Sequence, residues 1–175
     1  AIMIADGGGI LIADGGSFTT SGAMSQGIYS KGDVTVTNAS VNALNAKAAV
    51  LKGNNTITLS GTTLEGKETA DTIPYNIVLF SDEKDIGTMG TQHFDVRGGS
   101  LISHKGGMFY VTATHGKISL NGTAITMDDP AANLITVAGN DGANGWGTPG
   151  RNGGHVELVA DNQILTGNIS VDSIS

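Results

Sequence analysis

Two adjacent carboxylates, Asp128 and Asp129, lie downstream of a His-Gly pair, His115-Gly116. Paired carboxyl groups protonate a leaving oxygen and activate water in glycoside hydrolysis, so catalysis is sought here first. Hydrolases that combine paired Asp with a His-Gly element place the Asp first, and here the order is reversed. Asp129 also directly precedes Pro130, a position where Asp commonly opens a turn. Lyase chemistry needs Ca²⁺ held by clustered carboxylates, and an Arg or Lys base. The two Arg of this chain, Arg97 and Arg151, are far apart, Arg97 abuts the Gly98-Gly99 corner, and the carboxylates are scattered. No residue is assigned a catalytic role, and the chain is read as a non-enzyme.

The four histidines, His93, His104, His115 and His155, never fall at metal-ligand spacing. His93, His115 and His155 each stand near the entry of an alternating segment. They are expected to line up as stacked surface polar groups, with a metal or pH-sensing ladder as the alternative. The "DGG" and "NDGANG" stretches suit Ca²⁺ but lack the nonapeptide period of Ca²⁺-binding β-rolls. Structural corners are the simpler reading, and no metal or other cofactor is expected.

The stretch VAGNDGANGWGTPGRNGG at 137–154 holds the chain's single Trp and seven of its 27 Gly. It has to take the chain around one corner only, which Lys52-Gly53-Asn54 does elsewhere in three residues. Packing alone does not require such length. A Trp on a loop offers flat, partly apolar area to a sugar ring or a protein surface. Trp146, with Arg151, Asn144 and Asp141 beside it, is therefore a candidate ligand contact. The alternative is that Trp146 folds back to cover the base of its own loop.

These residues need elements to position them. The segment GIYSKGDVTVTNASVNAL superposes on AAVLKGNNTITLSGTTLEG. Each has a short apolar strand, a Lys-Gly corner, an alternating strand (Val34-Thr35-Val36-Thr37 against Thr56-Ile57-Thr58-Leu59), a small-residue corner and a third short strand. The unit recurs with longer inserts at 1–20, 75–103, 107–127 and 133–165, and Ile169 opens another. Period-two alternation puts one face inward and one outward. No helical period is present.

Identical corners in the same order are what a stacked repeat produces, and an antiparallel sandwich has no reason for them. The expectation is an all-β, right-handed parallel β-helix with three short strands per coil, long loops inserted at corners, and about six coils spanning about 30 Å. Residues 1–175 form a single domain on this reading. Ile118, Leu120, Ile135 and Val137 should point inward with Ile57 and Leu59. A second insert at 81–92 leaves the same kind of corner as the Trp146 stretch. Both should project from one edge, flanking the corner near His115, and Asp82, Glu83, Lys84 and His115 join the ligand-contact candidates. A further insert, at 67–74, precedes the 75–103 unit.

Composition narrows the partners. Lys plus Arg is 9 against 16 Asp plus Glu, a formal charge of −7, which disfavours nucleic acid. Only 14% of residues are charged, against about 25% in ordinary domains. The surface is rich in Thr, Ser, Asn and Gly instead, as in secreted β-proteins. Cys is absent, so disulfides play no part. No apolar run approaches the roughly 20 residues of a membrane helix, and membrane insertion by this segment is not expected. The apolar opening, Ala1-Ile2-Met3-Ile4, reads as a cut through a longer surface polypeptide.

The segments GIYSKGDVTVTNASVNALN, KGNNTITLSGTTLEG and MFYVTATHGKISLNGTAIT carry a resemblance, as does the stretch from LITVAGNDGANGWG to ILTGNISVDSIS. The chain resembles the right-handed β-helix repeats of large adhesin-like, carbohydrate-binding surface proteins of gut Firmicutes. That resemblance implies a bacterial cell-surface location and a non-enzymatic binding role. Host glycoproteins, immunoglobulins included, or glycans fit the neutral Thr/Asn/Ser surface with its loops as partners. A polysaccharide-active, pectin lyase-like enzyme and a passive spacer are the alternatives.

Overall fold

A computed structural model describes residues 1–5, 7–82, 90–139, 146–147 and 153–171. Its elements come in threes. The first repeat is β1 (Ile2–Ile4), β2 (Ile10–Asp14) and β3 (Ser17–Thr20). The second is β4 (Ile28–Ser30), β5 (Asp33–Thr37) and β6 (Ser40–Ala43), and the third β7 (Ala49–Lys52), β8 (Thr56–Ser60) and β9 (Thr63–Gly66). The fourth is β10 (Tyr75–Phe80), β11 (Thr91–Arg97) and β12 (Ser100–Ser103), and the fifth β13 (Gly107–Thr112), β14 (His115–Asn121) and β15 (Ala124–Met127). Strands β16 (Asn133–Ala138) and β17 (His155–Asp161) follow, and β18 (Asn168–Val171) closes the described chain.

Each strand of a repeat joins a different sheet. Sheet A runs β1-β4-β7-β10-β13-β16-β18, sheet B β2-β5-β8-β11-β14-β17, and sheet C β3-β6-β9-β12-β15. Every pairing is parallel, for example Val34↔Ile57 in β5 and β8 and Phe94↔Ile118 in β11 and β14. The chain is thus an all-β, solenoid-like stack, and no helix occurs among the described residues.

The register is locked at the corner between sheets B and C. One residue there takes a left-handed backbone in every repeat: Gly15, Asn38, Gly61, Gly98, Gly122 and Asn162. Gly and Asn enter that region most readily, which explains their recurrence. The N–H of this residue donates to the carbonyl that ends the sheet B strand of the next repeat. Asn38 reaches Ser60 at 2.8 Å, Gly61 reaches Arg97 at 2.9 Å and Gly98 reaches Asn121 at 2.8 Å. At the neighbouring corner position Gly99 has no room for a side chain, because a Cβ would run into the Thr62 carbonyl.

Inward residues from the three sheets make one core. Ile57, Leu59, Ile118, Leu120, Ile135 and Val137 all belong to it, as their alternation requires. Sheet A departs from the alternating pattern. Strands β10, β13 and β16 are buried on both faces. Their runs YNIVLF, GMFYVT and NLITVA are mostly apolar on both faces, and the polar Asn76, Thr112 and Thr136 within them are buried, which is how a strand covered on both sides reads. A second cluster of Val50, Val78, Phe80, Tyr110 and Ala138 lies on the outer face, packed by Tyr29, Ile73, Tyr75 and Trp146. All three Tyr of the chain and its single Trp are in this layer.

One expected strand is missing. The sixth repeat should close with Gln163-Ile164-Leu165, yet no strand forms there. The Gln163 side chain takes the ladder positions instead. Its Nε2–H donates to the Thr123 carbonyl at 2.7 Å, and its Oε1 accepts from the Thr123 N–H at 2.8 Å. Ile164 is left 86% exposed, and sheet C ends at β15. Among the described residues no helix is long and apolar enough to cross a membrane.

Candidate binding face

The edge between sheets A and B gathers the long inserts. Phe80, Thr112 and Ala138 are in register where the chain leaves sheet A. Thr91, His115 and His155 are in register where it enters sheet B. The connections at 81–90, 113–114 and 139–154 therefore depart from one edge, as the repeat alignment requires. Of the candidate contacts, Trp146, Asp82 and His115 are described. Glu83, Lys84, Asp141, Asn144 and Arg151 lie outside the described residues.

Trp146 turns back onto sheet A. Its ring meets Phe80 edge-on at 5.1 Å between centroids, and its Nε1–H donates to Asp71 Oδ2 at 2.6 Å. The Lys47 ammonium stands 5.6 Å from the same ring. Lys47 is fully buried, 3.2 Å from Asp71 and 3.6 Å from Glu68, and its Nζ donates to the Ile73 carbonyl at 2.5 Å. A buried ammonium requires such partners, because desolvation alone penalises its charge heavily. Burial pulls the Lys47 pKa below its ordinary value despite Asp71 and Glu68. Burial pushes the Asp71 carboxyl up, but the Ile73 N–H, the Lys47 charge and the Trp146 N–H outweigh it and hold the pKa low. Trp146 thus covers Phe80 and fastens to the 67–74 insert.

Asp82 pairs with Lys52, whose Nζ lies 5.7 Å from the Phe80 ring centroid. Asp82 and Trp146 therefore flank the same Phe80. His115 faces the other way, onto sheet B, and its ring is 5.4 Å from that of His155 at a 44° tilt. The expected three-histidine ladder does not form. Strand β11 begins at Thr91, so His93 falls two residues further on and pairs with Lys117. No group of three His, Asp or Glu suited to a metal ion occurs among the described residues.

The outer face of sheet B changes character along the stack. In β5 and β8 it presents Thr35, Thr37, Thr58 and Ser60. From β11 onward the same rows carry chemistry. One row runs His93–Lys117–Glu157, the next Asp95–Ser119–Val159, the next Arg97–Asn121–Asp161. Lys117 Nζ donates to Glu157 Oε1 at 2.8 Å, and this bond holds the Glu157 carboxyl below its usual pKa. Asn121 Nδ2–H donates to Asp161 Oδ2 at 2.8 Å. These rows enclose a shallow depression of about 340 Å³.

The acidic pair singled out in the sequence does not act together. Asp129 Oδ1 accepts from the Ala131 N–H at 3.0 Å, which is turn chemistry. Asp128 instead binds His104, whose Nδ1 is 2.9 Å from Asp128 Oδ2 and whose Nε2 is 2.6 Å from Glu65 Oε1. The bonds to Asp128 and then Glu65 raise the His104 pKa. With both ring nitrogens engaged, His104 is a cross-repeat bridge and not a free base. The repeat alignment places 104 beside 128 just past the strand ends, but it pairs 65 with 102, so the bond to Glu65 has no signal in the sequence. No family model, curated protein or solved structure matches this chain.

Proposed function

We propose that this chain is a right-handed, closed parallel β-helix from the surface of a bacterium, and that it binds a host glycoprotein, immunoglobulins included, or a glycan without chemical conversion. The observation that carries the reading is the outer face of sheet B from β11 to β17. There donors and acceptors stand in register on rigid strands, next to the edge that releases both long inserts. Rigid strands hold contact groups with little entropy left to lose on binding. The Thr and Ser rows of β5 and β8 extend the same polar surface along the stack.

Binding assays of the purified chain against a glycan array, immobilised mucin and immunoglobulin G test this. Retention by at least one of them is expected. Retention by none favours a passive spacer.

One observation favours a second reading, that of a polysaccharide-active enzyme: His93, Asp95, Arg97 and Lys117 share one face. Against it, Lys117 is bound to Glu157 Oε1 at 2.8 Å, whereas a Lys base must be free to take a proton. Unsaturated products released from polygalacturonate by the wild-type chain would support the enzyme and sink the binding-only reading.

A further inference from the structure

We propose that the depression on sheet B, between Asp95, Arg97, Asn121 and Val159, is a subsite for a neutral pyranose unit of a glycan. The proposal rests on the binding-module reading and gives it a ligand class and a place. Two kinds of polar group line the depression. Lys117 and Asn121 are engaged, by Glu157 and Asp161 respectively, and form a fixed wall. Asp95 and Arg97 have no side-chain hydrogen bond or ion pair among the described residues. They lie two residues apart on β11 and face the same way, about 6.6 Å apart along the strand.

A free carboxylate accepts from two hydroxyls, and a free guanidinium donates through a rigid fork. Neighbouring hydroxyls on a sugar ring satisfy both at once. The charge balance selects against ions. An anion drawn to Arg97 meets Asp95 and Asp161, and a cation drawn to Asp95 meets Arg97 and Lys117. A neutral, hydroxyl-rich ligand escapes both penalties. Val159, 39% exposed, offers apolar area to the C–H face of a ring. The volume of about 340 Å³ lies at the small end of ligand sites, in the range of one or two sugar rings.

The test is an amide NMR titration of the whole ¹⁵N-labelled chain with maltotetraose, cellotetraose and mannotetraose, and with tetragalacturonate as the acidic comparator. At least one neutral oligosaccharide should shift signals of Asp95, Arg97, Ser119, Asn121 and Val159. Asp95→Asn and Arg97→Gln should each weaken that binding about tenfold or more, as for a hydrogen bond to a charged group, with unchanged thermal melting. No shift with any neutral oligosaccharide overturns the proposal. So do shifts confined to other faces, tighter binding of tetragalacturonate, or wild-type affinity in both variants. If mucin or immunoglobulin G is still retained while this subsite fails, the wider binding reading stands. If nothing is retained, both fall.

Discussion

Single residues hold this molecule together across repeats, and two of them carry predictions. His104 spans from Glu65 to Asp128. Its pKa is raised above the ordinary 6.5, first by Asp128 and then by Glu65. Its stabilising effect is therefore fully present below the unfolded value, while the carboxylates stay ionised, and is lost as pH rises through the folded value. His104→Ala should lower the melting temperature more at about pH 6 than at about pH 9. The effect is modest, about 0.5–1 kcal/mol, because solvent screens these partly exposed groups. Equal losses at both pH values would remove the charged bridge. Trp146 gives the second case. It is the chain's single Trp, so fluorescence excited at the red edge of the aromatic band, where the three Tyr do not absorb, reports on it alone. Asp71→Asn replaces the charged acceptor of its indole N–H. Emission should shift to the red and become easier to quench with acrylamide. An unchanged spectrum would mean that Trp146 does not rest on Asp71 in solution.

Elements repeat because the corner between sheets B and C repeats. Gly122 has a left-handed backbone at φ 59° with Asn162 Nδ2 at 3.7 Å from where a Cβ would sit, so space is not the constraint there. Gly122→Ala should cost about 1–2 kcal/mol from backbone strain, and Gly122→Asn clearly less, measured by chemical denaturation. Equal costs would contradict the corner account. Leu120→Ala empties a core position and should cost about 2–4 kcal/mol; an unchanged melting temperature would place Leu120 outside the core. Much of this level was legible in the sequence. Val34-Thr35-Val36-Thr37 and Thr56-Ile57-Thr58-Leu59 alternate cleanly, and their corners align. The outer layer of sheet A was not legible, because continuous runs such as YNIVLF do not say what covers their second face. The fate of Trp146 depends on Asp71, 75 residues away, and nothing local encodes that contact. Gln163 reads as the start of a strand because the apolar Ile164 and Leu165 follow it, whereas its own carboxamide mimics the ladder at Thr123. His93 missed the ladder because the alternating pattern shows a strand and not where it begins.

At the scale of the whole molecule, two surfaces meet at the edge between sheets A and B. Sheet A carries an aromatic layer on its outer face, under Trp146 and Ile73. Sheet B turns polar rows outward, with His115 and His155 at their head. The sequence points to the glycine-rich insert as the contact, and Trp146 is engaged with the protein itself. On the proposed binding reading the partner is therefore sought on the sheet B face, while Trp146 covers Phe80 of sheet A. The measurement that separates the two is partner affinity in two variants of the chain. One shortens 139–153 to a Gly-Asn corner, and the other is the double substitution Arg97→Gln with Asn121→Ala on sheet B. The account predicts that the sheet B variant loses about tenfold or more in affinity, while the shortened variant stays within a few-fold of wild type. Wild-type affinity in the sheet B variant, with loss in the folded shortened variant, would contradict it.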